Sequence, residues 1–589
     1  MRGTLFLVVG PSGAGKDTLM DGARASLAND EDIVFARRII TRPKETGNEG
    51  HESVTEKEFD SRHNDGVFML DWQAHGLKYG ISEIYEKHLA RGVTVVANVS
   101  RGVIKDAITC YSPTVVLEIS ASPEILSERL AKRGRETTDE IHTRLSRDAA
   151  RIPASATKVT ILNNGSLREG IDKFIAALKR ERPKSATLLM HKVAGGALNY
   201  IEYQAVINDI ISRGYTDLEI GNFLASVSET LTRDETVDLA RARAEFATPI
   251  TWNSDLVVDK HSMGGIPGNR ITMVVIPIVA AFGLIIPKTS SRAITSPAGT
   301  ADAMEVLARV DLDSDDLRRI VKKMNGCIAW NGRLNHSQVD EVMNRITMPL
   351  KLNTLHWSVS SILSKKLAAG ATHCLIDVPF GPTAKVRSAI DAEKLRDLFM
   401  YVGNALGLEI DVRITDGRAP IGSGIGPALE ARDVVAVLKN EANAPKDLRD
   451  KALSFASTIL AFDPTITLSE GPIRAAEILD SGLAWENFER LCYEQGPPSE
   501  DVEIGNHTAT VTANKDGTVD SIDCLVLSSI ARAAGAPADK GAGLDLLCHQ
   551  ADKVYAGQPL YRIHARTLMG LDAARKKAGL DPAYRITQI

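Results

Sequence analysis

The strongest constraint on this chain is the run Gly10, Pro11, Ser12, Gly13, Ala14, Gly15, Lys16, Asp17, Thr18, which follows directly on the apolar stretch Leu5–Val9. Closely spaced glycines let backbone N–H groups turn inward and approach phosphate oxygens, and a helix starting at the loop adds its positive dipole end. Lys16 supplies a point charge for the outer phosphates. The apolar run before the loop reads as a buried strand, and Leu19, Met20, Ala23 and Leu27 after it fall on one helical side. A strand–loop–helix of this kind binds a nucleoside triphosphate, so ATP with Mg2+ is the expected donor. Asp17 stands where Ser or Thr is usual. It reads either as an acidic residue favoured in a first helical turn or as a group near the metal, with Thr18 supplying a hydroxyl.

Such a unit fills only part of 589 residues, and a chain of this length divides into several domains. The first ~180 residues alternate strand and helix signals. Val93–Val99, Thr114–Ile119 and Val159–Leu162 are continuous apolar runs, as in a parallel sheet covered on both faces. A charged helix over Gly170–Arg182 ends at Pro183, and residues 183–197 read as a connector. Three helices follow within Tyr200–Arg243, with Thr216 and Thr232 as N-caps and Glu219 and Glu235 three residues on. From Asp255 strands and helices alternate again, and the last ~90 residues are β-rich, with turns at Asp516-Gly517 and Gly557-Gln558-Pro559.

The formal net charge of -5 offers no basic surface for nucleic acid. The six cysteines stand singly, at 110, 327, 374, 492, 524 and 548, without a Cys-x-x-Cys pair for zinc or a disulfide framework. The longest apolar stretch, Ile271–Ile286, is broken by Pro277 and Gly283 and is too short to span a bilayer. These features predict a cytoplasmic protein with no membrane partner.

The segment RRIITRPKETGNEG, Arg37 to Gly50, narrows the first region. It resembles the acceptor-phosphate segment of guanylate kinase and, more closely, of the ribose 1,5-bisphosphate phosphokinases. That resemblance implies that Arg38 and Arg42 hold an acceptor phosphate, with Tyr79 of HGLKYGIS in the matching acceptor loop. Within RLAKRGRETTDEIHTRL, 129–145, Arg133, Arg135 and Arg144 would form a lid over the transferring phosphates; a solvated basic helix face is the alternative. Guanylate kinases continue with a Tyr-x-Phe element where this chain reads HESV, and they carry carboxylates on the strand that here ends Ala-Asn-Val-Ser. Both departures suit a sugar phosphate better than a guanine nucleotide.

The second half carries DKHSMGGIPGN, Asp259 to Asn269, then KTSSRAITSPAGTADAMEVL, Lys288 to Leu307, then SSILSKKLAAG, 360–370. Over roughly 198–570 these resemble the thymidine phosphorylase family, and SSRAITSPAGTAD is similar to the AMP phosphorylases. The resemblance implies that Lys260, Ser262, Ser290 and Thr300 hold inorganic phosphate and that Ser361 and Lys365 lie near the base. Gly268, the run Ile294, Thr295, Ser296, Pro297, Ala298 and Gly299, Ser361 and Lys385 match positions that contact AMP. The acid of that group is an aspartate, matched here by Asn353, and a threonine of that group is matched by Ala303. Asp302 and His356 are then the candidate acids, His356 having a plain helix-face reading as well.

The expected architecture is α/β and multidomain. Residues 1–182 form a P-loop kinase with a parallel sheet, and 183–197 a linker. A thymidine phosphorylase-like helical domain takes 198–262 and about 340–370. An α/β domain takes 263–339 and 371–480, and a C-terminal α+β domain 481–589. The two resemblances share an intermediate: AMP phosphorylases release ribose 1,5-bisphosphate, which the phosphokinases convert with ATP to 5-phospho-α-D-ribose 1-diphosphate. Two alternatives stand: a pyrimidine nucleoside phosphorylase fused to a sugar-phosphate kinase, or a nucleotide sensor whose phosphorylase half does not turn over. The phosphorylase resemblance also implies a homodimer.

Overall fold

A computed structural model describes residues 3–588 apart from 12, 42–50, 75, 112, 123–124, 127–128, 130–151, 154–155, 180–182, 184, 213, 216, 248, 294–295, 333–338, 340–341, 344–345 and 347–354. The chain forms two units. One comprises Met1–Ala194 with Ala205–Leu224, the other Gly195–Gln204 with Ala225–Ile589.

In the first unit β1 (Leu5–Val9) leads through the glycine loop into α1 (Lys16–Ser26). Strands β2 (Ile33–Phe35), β7 (Thr94–Asn98), β8 (Thr114–Ser120) and β9 (Thr157–Leu162) join β1 in a parallel sheet of order β2-β7-β1-β8-β9. All five side chains of β1 are buried, and the pleat divides them. Phe6 and Val8 enter one core with Leu19, Met20 and Leu117; Leu5, Leu7 and Val9 enter the other with Val95, Ala97 and Val116. An uninterrupted apolar run is what two covered faces require. Each buried leucine or valine contributes about 1.5–3 kcal/mol.

A second sheet, which carries Arg38 and Tyr79, is ordered β4 (His51–Ser53), β3 (Arg38–Ile40), β6 (Leu77–Ser82), β5 (Phe68–Ala74). Helix α2 (Leu167–Lys179) packs instead with α1 on the parallel sheet, sending Phe174 and Leu178 into the core of Phe6 and Val8. Residues 183–197, expected as a connector, contain a helix over Ala186–Val193 whose Leu189 is buried.

The helices expected within 200–243 are Tyr200–Ile211, Asp217–Thr230 and α3 (Arg233–Glu245). Thr232 caps α3 in a complete capping box with Glu235; the Thr216 cap lies outside the described residues. In the second unit a parallel sheet of order β10 (Val258–Ser262), β13 (His373–Phe380), β14 (Glu409–Asp416) stands beside a parallel pair, β11 (Ile286–Ser290) and β12 (Gly326–Trp330). Again the pleat splits the central strand. Leu375 joins the core of α4 (Ile271–Phe282), while Cys374, Ile376 and Val378 pack with α5 (Leu355–Ala368) and α3. The broken apolar stretch is thus a buried helix ended by Gly283, and no described helix is long and apolar enough to cross a membrane.

Two details shift the expected boundary at 481. Helix Leu483–Gln495 sends Ala484, Phe488 and Leu491 into the α/β core, and the short strand β15 (Gly424–Ile425) pairs with the C-terminal β18 (Gly543–Leu546). The C-terminal region packs antiparallel strands against helices Cys524–Ala534 and Leu568–Leu580, an α+β arrangement.

Candidate active sites

The glycine loop stands between the end of β1 and α1, as its sequence requires. Gly15 has φ 88°, a left-handed conformation, and a Cβ there would meet Asn163 Nδ2 at 2.5 Å. Only glycine fits such a position. Asn163 Nδ2 in turn donates to Ala14 O at 2.8 Å, fastening the loop to the end of β9. Lys16 folds back over its own loop, Nζ donating to Gly10 O at 2.7 Å and Pro11 O at 2.9 Å.

Asp17, exposed in the first turn of α1, joins three segments. Its Oδ1 accepts from Asn98 Nδ2 at 2.9 Å and lies 3.7 Å from Arg38 NH2. Asn98 is therefore where strand β7, lacking the carboxylates of guanylate kinases, meets the unusual residue of the loop. Thr18 is also exposed. The Thr18 hydroxyl is a hard oxygen donor, suited to Mg2+ that takes its remaining ligands from phosphates and water. Tyr79 lies on β6 opposite Ile40 and Trp72, its ring stacked on Trp72 with centroids 5.4 Å apart. Ser12, Arg42 and the lid arginines Arg133, Arg135 and Arg144 lie outside the described residues.

The second site grows from β10. Asp259 and Lys260 are buried, and Lys260 Nζ donates to Thr272 Oγ1 at 3.2 Å. Ser262 Oγ donates to Asp377 Oδ2 at 2.9 Å. Asp377 also accepts from Asn269 Nδ2 at 3.2 Å and Thr415 Oγ1 at 2.6 Å, and pairs with Lys451 at 3.2 Å. Burial alone would raise the Asp377 carboxyl, but Lys451, Lys260 and the hydroxyl donors hold it below its ordinary range. Asp259 pairs with Lys366 at 2.6 Å and stands 3.8 Å from Lys288.

Two buried aspartates thus face four lysines, leaving positive charge for an anion to complete. Burial pushes Lys260 down to about 8 and, with the neighbouring Lys366 cation, Lys288 down to about 7. Burial and the Lys366, Lys288, Lys365 and Lys260 charges hold His261 well below its usual value. Sequence reasoning named Lys260 and Ser262 here. It passed over His261, Asp259, Lys288 and Lys366, all inside or beside the quoted motifs, and Asp377 and Lys451, which no motif marked.

The remaining candidates separate by neighbourhood. Gly268 has φ 75° and packs so closely that a Cβ would lie 1.9 Å from Ile421 O. Ser290 ends β11 beside Trp330, and Thr300 opens the short helix Thr300–Met304. Ser296 Oγ donates to Ala298 O at 2.9 Å, and Arg270 donates to the same carbonyl; Pro297 lies between them, and Ile294 and Thr295 are outside the described residues. Lys365 Nζ donates to Ser361 Oγ at 3.2 Å. Lys385 is lowered by burial and by the Lys365 charge, which places both ammonium groups in one electrostatic neighbourhood.

Asp302, one of the candidate acids, is bonded to backbone amides. Its Oδ2 accepts from Ala293 N at 2.6 Å and Gly299 N at 2.8 Å, and Arg292 lies 3.5 Å from its other oxygen. The carboxylate clamps both ends of the 293–299 loop. His356 Nδ1 contacts Thr236 Oγ1 at 2.8 Å, and that hydroxyl donates to Thr232 O at 2.7 Å. Nδ1 therefore carries the proton and Nε2 is the bare nitrogen. Burial and the Arg233 charge lower its pKa, so the ring is neutral at pH 7 and its Nε2 accepts rather than donates. Asn353 lies outside the described residues.

These two sites define a fusion of a phosphate-loop kinase with a phosphate-using pentosyl transferase. Residues 254–485 match the glycosyl transferase family a/b domain, and 518–584 the pyrimidine nucleoside phosphorylase C-terminal domain. The bifunctional ribose 1,5-bisphosphokinase-thymidine phosphorylase of Cupriavidus necator is 51% identical over 97% of this chain and 96% of its own length. The namesakes from Azorhizobium caulinodans and Roseobacter denitrificans are 45% and 40% identical, covering 99% and 100% of this chain and 97% and 100% of their own lengths. The chain belongs to this family of bifunctional kinase-phosphorylase enzymes.

Proposed function

We propose that the phosphorylase half cleaves a nucleoside 5′-monophosphate, AMP first among candidates, with inorganic phosphate to free base and ribose 1,5-bisphosphate. The kinase half then uses ATP to convert that product to 5-phospho-α-D-ribose 1-diphosphate. In the first step a phosphate oxygen bonds to C1′ while the C1′–N bond breaks, its electron pair leaving on the base nitrogen, which takes up the proton that the phosphate gives up. Lys260 and the Asp377–Ser262–Lys451 network hold the attacking anion in place. In the second, the 1-phosphate oxygen attacks the γ-phosphorus of ATP and ADP leaves. Lys16 and the loop amides hold the donor, Arg38 holds the acceptor, and bound Mg2+ neutralises phosphate charge.

The observation that carries this reading is the pairing of the two activities along one chain in relatives that it matches end to end. A kinase that takes ribose 1,5-bisphosphate needs a neighbour whose product already bears the 5-phosphate, and only a nucleotide supplies it. The relatives' names favour a second reading, phosphorolysis of thymidine, whose product would carry neither a 5-phosphate nor a 2-hydroxyl. Incubation of the full chain with phosphate and ATP, and with AMP or thymidine, separates the two. Adenine and 5-phosphoribosyl diphosphate from AMP support the proposal. Thymine release without turnover of AMP overturns it, and tight AMP binding without base release indicates a sensor. We also infer a homodimer, which light scattering on the purified protein tests.

A further inference from the structure

Most phosphate loops place a hydroxyl after the lysine and leave carboxylates to a neighbouring strand. Here the two are exchanged: the carboxylate is Asp17 on the loop's helix, and the strand end presents the amide Asn98. Asn98 is nearly buried, and its Nδ2 fixes one oxygen of Asp17. The Asp17 side chain itself is 74% exposed, so its carboxylate is held from behind and presented outward. Arg38 of β3 brings its guanidinium within 3.7 Å of that carboxylate.

We infer that Asp17 is a positioning residue for the acceptor: anchored by Asn98, it aims the Arg38 guanidinium at the acceptor phosphate and so ties acceptor binding to the donor loop. An arginine on a bare strand samples many rotamers, and a fixed carboxylate beside it selects those that face the donor. One face of the guanidinium pairs with Asp17 and leaves N–H groups for phosphate. The inference rests on the acceptor proposed above.

The test uses full-length protein with ribose 1,5-bisphosphate, ATP and Mg2+, reading ADP release. Asp17→Asn keeps the shape and removes the charge at an exposed position, so folding is spared. The expected result is an acceptor KM raised about tenfold, as for loss of one charge-assisted contact. The Kd for a non-hydrolysable ATP analogue and the half-saturating Mg2+ concentration stay within about twofold. Asp17→Ser, which restores the hydroxyl usual in such loops, should be as impaired as Asp17→Asn. Combined with Arg38→Gln, Asp17→Asn should add little further loss, because the two act through one contact. Unchanged acceptor KM in Asp17→Asn overturns the inference alone. So does recovery in Asp17→Ser, or a loss that follows Mg2+ or ATP affinity instead. A wild-type protein idle on ribose 1,5-bisphosphate overturns the acceptor reading, and this inference with it.

Discussion

Lys366 of α5 reaches Asp259 of β10 with Nζ 2.6 Å from Oδ2, and both side chains are almost wholly buried. Lys288 stands 3.8 Å from the same carboxylate. Removing one partner of a buried pair leaves an uncompensated charge, at a cost of about 3–5 kcal/mol. Asp259→Asn should therefore destabilise the second unit by about that amount, read as an earlier transition in urea. Phosphorolysis should fall with it while the kinase activity, built on separate residues, persists.

The pH response of the phosphorylase follows from Lys260, whose pKa burial lowers to about 8. It is an ammonium below that value and a neutral amine above it. The KM for phosphate should stay level up to pH about 8 and then rise with each further unit. A plot of kcat/KM for phosphate against pH checks this.

Lys288 adds a stability effect of definite sign. Its folded pKa, about 7, lies below the unfolded value, so between the two the unfolded chain binds more protons. Its contribution thus makes the protein more stable as pH rises through that window. Lys288→Met should remove this part of the slope, measured by urea unfolding at several pH values.

Asp302 is expected to act on loop geometry. Asp302→Ala removes the acceptor for Ala293 N and Gly299 N. Hydrogen bonds to a charged group are worth about 1.5–3 kcal/mol each, so the loop should loosen and the nucleotide KM rise. The limbs of the kcat pH profile should stay where they are, whereas loss of a proton donor would remove one.

Lys16→Ala and Lys260→Ala should uncouple the two halves. With AMP, phosphate and ATP supplied, Lys16→Ala should accumulate ribose 1,5-bisphosphate. Lys260→Ala should release no base yet still consume added bisphosphate. Chromatography of the products distinguishes them.

Much of the frame was legible from local pattern. The run Leu5–Val9, the glycine loop and the helical spacing of Leu19, Met20 and Ala23 predict a covered parallel strand entering an anion loop, and that is the arrangement found. Thr232 and Glu235, three positions apart in sequence, announced a capped helix. The motifs DKHSMGGIPGN and KTSSRAITSPAGTAD are where the sequence predicts phosphate chemistry, because backbone amides and hydroxyls must be adjacent to cradle an anion.

Which charges face one another was decided only by the tertiary structure. Asp17 and Asn98 lie 81 positions apart and Asp259 and Lys366 lie 107 apart, so no local spacing could pair them. Lys451 reaches Asp377 from a helix with no motif at all. The partners of Asp302 were hidden in the sequence because they are backbone amides, which every residue has and no sequence displays. The sequence by itself determined which segments become strands, helices and anion loops, since those depend on periodicity and neighbours within a few residues. Ionisation and orientation depend on burial and on charges brought close through space, and these came only with the packed fold.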